Sequence, residues 1–531
     1  MGGRLTQLIF AVALALPVLA RADTISAAPE KVEVVVYRDR PARGADLARE
    51  DPDSAHGLAL VTETRTVDLP AGRTRLSFEG VADGIIPESA AVEGLPGSLA
   101  ERNFDYDLLS PGSLIAHLTD QPVHIVRTDR KTGRETSEAA TVRAGPDGVV
   151  LQTAAGVEAL RCSGGPEKLV FDSLPKGLAS RPTLSVVTDT PAAGRYQVRV
   201  SYLSVRIDWA ADYVARISPD GKSLDLTGWI TLANHSAASF ADAPTAVVAG
   251  RLARVPADLP TAAPQHLKTG CWPMGTSHHG VPRPEIPAPP PPPPMALMAP
   301  MPAPPGMREE VVVTAQKRTV QTDLGDYKLY SLVEPTTVAA HQVKQVQFLH
   351  QAKVGFDPVY RYDVEIGDNG EAPPPDQTIP TRLVLRLKNK AADGLGEALP
   401  AGLVSFRQAE PGAPGHELFL GQAGMRDVPV NEPFELNLAQ SPEVVVRQEI
   451  VSAKQLGWGT DHRRLRAEIA VSLFNHRADA VITEVRQPQA EGLTIVAESL
   501  SHDIRDGAPA WRIALAARSE TTLTYTVEFD N

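Results

Sequence analysis

Along most of the chain apolar and polar residues alternate one for one, in short runs bounded by Pro, Gly, Asp and Asn. The clearest are "KVEVVVYR" (31–38), "GRTRLSFEG" (72–80), "RYQVRVSYLSV" (195–205), "TRLVLRLKN" (381–389) and "TTLTYTVEF" (521–529). A period of two sends successive side chains to opposite faces of a pleated backbone, so each run predicts a strand with one face turned to a core. "SPDGKS" (218–223), between "DYVARI" and "LDLTGWITL", predicts a hairpin turn, because Asp220 and Gly221 tolerate the positive φ that such turns demand. No long stretch carries the 3.6-residue period of an amphipathic helix. The pattern therefore predicts a mainly β fold of antiparallel, β-sandwich-like domains.

One segment breaks the alternation. "PRPEIPAPPPPPPMALMAPMPAPPGM" (282–307) cannot form a ladder, because proline lacks the N–H, and it favours extended polyproline II. We read 261–322 as a disordered, proline-rich insert, roughly 3.1 Å per residue where extended. The expected organisation is a signal peptide at 1–22, an N-terminal β domain at 23–190, and a second β region at 191–531 that the insert interrupts.

The amino terminus supports export. Arg4 gives a positive start, "LIFAVALALPVLA" (8–20) an apolar run, and Ala20-Arg21-Ala22 a small-x-small cleavage pattern, which places the cut between Ala22 and Asp23. The apolar run is too short for the roughly 20 residues of a spanning helix and contains Pro17. The expected location is the periplasm or the outer membrane of a Gram-negative cell.

Composition narrows the function. The 531 residues are 43% hydrophobic, ample for real cores, with 52 basic against 64 acidic side chains and a formal charge of −12. That balance argues against a nucleic-acid partner, which needs a net basic face. Aromatic residues at 5% are too few for the girdles of an outer-membrane barrel.

Several stretches carry a resemblance: "RYQVRVSYLSVRIDWAADYVARISPDGKSLDLTGWITLANHSAASFADAPTAVVAG" (195–250), "LGDYKLYSLVEPTTVAAHQVKQVQFL" (324–349), "LGEALPAGLVSFRQ" (395–408) and "LFLGQAGMRDVPVNEPFELNLA" (418–439). In this order they resemble the family called domain of unknown function 4139, over about 195–531. The resemblance implies a cell-envelope setting, since some relatives are named for inhibiting mucoid growth, and it brings no catalytic residues with it. The coiled coil that such relatives often carry ahead of the shared domain has no counterpart here. Trp209, Tyr213 and Trp229 lie in the matched strands, and their period-two spacing reads as packing.

Catalytic motifs fail on inspection. "GLGEAL" (394–399) has Leu399 where a dinucleotide loop needs its last Gly, and "HELFL" (416–420) lacks the second His of a zinc helix and reads as a turn entering a strand. No cofactor is implied. Cys162 and Cys271 are the chain's two cysteines, and in an oxidising compartment they predict a disulfide. The competing reading is a metal site at His266, Cys271, His278 and His279, whose spacing fits no common zinc pattern.

The sequence thus points to a non-catalytic binding or structural module that contacts an envelope protein or polymer, with an unrecognised hydrolase as an alternative. A further alternative rests on "EEVVVTAQKR" (309–318), which resembles the short segment of TonB-dependent outer-membrane receptors that TonB captures. Glu310, Val311, Val312, Val313 and Thr314 are its extended centre; the β-branched residues suit strand addition to an exposed sheet edge. An edge strand of the shared domain, or a tether, are the competing readings of the same ten residues.

Overall fold

The computed structural model describes residues 22–253 and 319–530, apart from 39, 41, 50–55, 106–110, 130–131, 145–148, 160–166, 174–177, 179–180, 251, 367–372, 411–412, 414–415 and 457–463. The fold is mainly β, as the alternation predicts. The quoted runs become the strands Lys31–Tyr37, Gly72–Glu79, Gly194–Ser204, Ile379–Lys388 and Ser519–Asp530. Helix is confined to short pieces, the longest among the described residues being Pro111–His117.

Two units divide the described chain. The first takes 22–31 and Thr62–Tyr202; the second takes Val32–Val61, 203–253 and 319–530. This differs from a single cut between 190 and 191, which would fall in the three-residue connection between Thr183–Thr190 and Gly194–Ser204. The segment from Val32 joins the second unit because Lys31–Tyr37 pairs in parallel with Thr245–Ala249, through Val34 opposite Thr245 and Val36 opposite Val247.

In the first unit, Ala22–Ser26, Gly72–Glu79, Thr183–Thr190 and Ser98–Asp105 form one sheet in the order just given. A five-stranded sheet and the helix Pro111–His117 enclose a separate core of Ile115, Val123, Ile125, Val142 and Leu151. Glu63 and Arg65 are buried together, with Arg65 Nη2 at 2.6 Å from Glu63 Oε2, while the Tyr202 hydroxyl donates to Glu63 Oε1 at 2.7 Å. Burial chiefly, with the Glu63 charge adding to it, pushes the Tyr202 phenol well above its ordinary value.

The second unit holds a five-stranded sheet, Gln342–Gly355, Ser223–Asn234, Ile207–Ile217, Gly402–Ala409 and Glu417–Met425 in that order. Its hairpin at 218–223 has Ile217 opposite Leu224; Gly221 alone takes positive φ there, and Asp220 instead accepts from the Ser218 hydroxyl. Trp209 and Tyr213 are fully buried packing residues that donate to the Val248 and Pro400 carbonyls, whereas Trp229 is half-buried. Arg38 lies over the Trp209 ring at 4.7 Å and pairs with Asp427.

A nine-stranded sheet completes this unit, in the order Thr494–Glu498, Ser519–Asp530, Arg464–Asn475, Pro433–Leu456, Ile379–Lys388, Asp357–Asp363, Val481–Arg486, Ala508–Leu515, Asp503–Arg505. Its two halves fold onto each other like a sandwich. Trp511 and Tyr525 belong to strands far apart in that order, yet their rings approach to 4.3 Å within a core that also holds Val446, Ile469, Leu473, Val485 and Ile513. Parallel pairings occur among the antiparallel ones, as between Asp357–Asp363 and Val481–Arg486 or between Ile207–Ile217 and Gly402–Ala409. They join segments distant in sequence, which alternation cannot reveal.

The insert ends earlier than expected. Thr319–Leu324 is a strand antiparallel to Tyr327–Leu332, closed by a tight turn with Gly325 at φ 58°, so residues 319–322 belong to a sheet.

Candidate anion-binding cleft

One face of the nine-stranded sheet supplies the core; charged residues occupy the other. Register explains why. Arg386 stands opposite Glu435 across one antiparallel pair, and Glu484 stands opposite Arg361 on one side and Arg512 on the other. Glu484 and Arg486 are two apart in one strand and therefore share that face, while Val485 between them enters the core.

These side chains brace one another. Glu484 is completely buried and receives Arg386 Nη2 at 2.5 Å and Arg486 Nε at 2.6 Å, with Arg505 Nε at 3.6 Å. Glu435 receives Arg386 Nε at 2.8 Å, Arg486 Nη2 at 2.9 Å and Arg361 Nη1 at 2.9 Å. An unpaired buried carboxylate would take up a proton rather than stay charged. Here burial pushes Glu484 upward, but hydrogen bonds from Arg386 and Arg486 outweigh it and hold the carboxyl below its ordinary value. Burial also works against the charge on Arg386 and Arg486, and the same carboxylates reverse that effect and raise both. The two guanidinium groups are thus fixed in charge and in orientation.

Above them opens a cleft of about 940 Å³. Arg386 and Arg486 form its cationic base; Lys222, Lys388, Arg426, Arg505 and Arg512 stand around it, against Asp357, Asp393, Glu435 and Asp506. Cations therefore outnumber acids in a chain whose net charge is −12. Arg505 and Asp506 reach the rim on a two-residue hairpin turn, with Asp506 at φ 49° and Gly507 at φ 80° between the paired residues Arg505 and Ala508. Both signs match a type I′ turn, the form that suits the twist of a hairpin. Phe356, Met425 and Phe434 are apolar residues of its lining. A second cleft of about 740 Å³, lined by Gln377, Gln487, Gln489, Ile366 and Phe529, carries Glu365 as its one charged lining residue among the described residues.

Sequence reasoning did not single out any of these arginines. The signal was present as Arg386 and Lys388 two apart in "RLVLRLK" (382–388) and Glu484 and Arg486 two apart in "TEVRQ" (483–487). Of the residues it did single out, Ala22 and Asp23 open the strand Ala22–Ser26, opposite Thr74 and Arg75. Cys162, Cys271, His266, His278, His279 and the segment Glu310, Val311, Val312, Val313, Thr314 lie outside the described residues. His416 sits just before Glu417–Met425, a turn entering a strand.

No protein-family model matches the chain, and no curated protein matches it.

Proposed function

We propose that this chain is an exported, non-catalytic binding protein of the cell envelope, and that its second unit holds an anionic ligand in the arginine-based cleft. The observation that carries the reading is the surplus of cations around two arginines whose orientation is already fixed by Glu435 and Glu484. Fixed donors spare the ligand the cost of ordering them, and low-dielectric walls focus their field on a carboxylate or phosphate. The export signal and the resemblance to the envelope family support the location.

The test uses tripolyphosphate as a probe anion at low salt, with calorimetry on the full chain. Binding is expected, weakening as salt screens the exposed cations. Arg505→Ala combined with Arg512→Ala is expected to remove it, since both are cleft cations outside the Glu435 braces. Absence of binding, or equal binding by the double variant, would overturn the reading.

A further inference from the structure

Among the described residues, Asp503–Arg505 is the outermost strand of the nine-stranded sheet and pairs only with Ala508–Leu515. In antiparallel pairing, residues alternate between exchanging two backbone hydrogen bonds and exchanging none. Ile504 stands opposite Pro509, which has no N–H, and whose carbonyl accepts instead from the Gln487 amide at 3.0 Å. Ile504 and Pro509 therefore form a pair without hydrogen bonds, between Asp503 with Ala510 and Arg505 with Ala508. It follows that the Ile504 N–H and C=O point away from the sheet, to its free edge. Ile504 is 64% exposed and borders the same cleft as Arg505 and Arg512, its side chain alternating with theirs onto the opposite face of the strand.

Two features thus meet at one place: an open backbone donor and acceptor, and a surplus of guanidinium groups. We propose that this edge takes an extended acidic peptide, added as a strand beside Asp503–Arg505, with its carboxylates directed to the cleft arginines. The inference rests on the anion-binding reading of the cleft and narrows it to one ligand class. Strand addition supplies affinity through the backbone, and alternate side chains supply the charge complementarity. An acidic polysaccharide would satisfy the arginines but has no peptide backbone to match Ile504.

Calorimetry on the full chain with a short blocked peptide of alternating valine and glutamate decides the matter. The peptide is expected to bind and to be displaced by tripolyphosphate. Its counterpart with N-methylated backbone is expected to bind about tenfold more weakly, the worth of one or two backbone hydrogen bonds. Ile504→Pro should show the same loss of peptide binding, because proline there deletes an N–H that faces no strand. Equal binding by the methylated peptide would overturn strand addition and leave the cleft reading standing. Binding of polygalacturonate where the peptide fails would overturn it in favour of a carbohydrate. Failure of tripolyphosphate to bind would instead sink the cleft reading and this proposal with it.

Discussion

Glu484 is the residue on which most of the cleft depends. Arg386 and Arg486 share it where it is completely buried, so removing it leaves two largely buried cations short of a partner. Glu484→Ala is expected to cost roughly 3–5 kcal/mol, measured by urea unfolding, the range seen when one partner of a buried pair is deleted. Its titration gives a second expectation. The folded state holds this carboxyl below its ordinary 4.5, so its contribution is complete above that pH and drains away as pH falls through the lowered value. Unfolding midpoints followed downward from about pH 5 should therefore decline less steeply in Glu484→Gln than in the parent chain. The network in the first unit obeys the same logic: Tyr202→Phe would strip Glu63 of one donor, at about 1–3 kcal/mol.

At the scale of elements, the turn Asp506-Gly507 sets where Arg505 stands. Gly507 sits at φ 80°, which a side chain resists, so Gly507→Ala is expected to cost about 1 kcal/mol and to weaken tripolyphosphate binding by displacing Arg505. Thermal unfolding and calorimetry on the same variant check both halves. Individual strands were legible because alternation is local: "TTLTYTVEF" announces Ser519–Asp530 without reference to anything else. The charged face of the nine-stranded sheet was not. "TEVRQ" shows that Glu484 and Arg486 share a face, but it cannot show that Arg361 lies beside Glu484 through a parallel pairing across more than a hundred residues. Nor does alternation tell a charged face open to solvent from one enclosed as a cleft. The helix Pro111–His117 was missed for a related reason, being too brief to display a period.

For the molecule as a whole, maturation and redox state carry the remaining expectations. Intact-mass measurement of exported protein should place the amino terminus at Asp23, and cleavage there keeps Asp23 to Ser26 opposite Arg75 to Phe78. A mass that retains residues 1–22 would show the leader to be an anchor. Peptide mapping without reductant should recover Cys162 joined to Cys271, a closure of a long loop worth roughly 4–5 kcal/mol at most. Two free thiols would return attention to His266, His278 and His279.

The strand Pro433–Leu456 is 24 residues long, and both halves of the nine-stranded sheet use it. Its first part pairs with Ile379–Lys388 and its second with Arg464–Asn475, while Val444, Val445 and Val446 lie where the two pairings meet. Neither half can open without breaking the ladder of that shared segment. In terms of exchange with heavy water, the amides of Val445 and Val446 should be among the last to trade their protons, and only through global opening, whereas those of Asp503–Arg505 at the sheet's end should trade through local fraying. The rim of the cleft would then breathe on a much faster clock than its base.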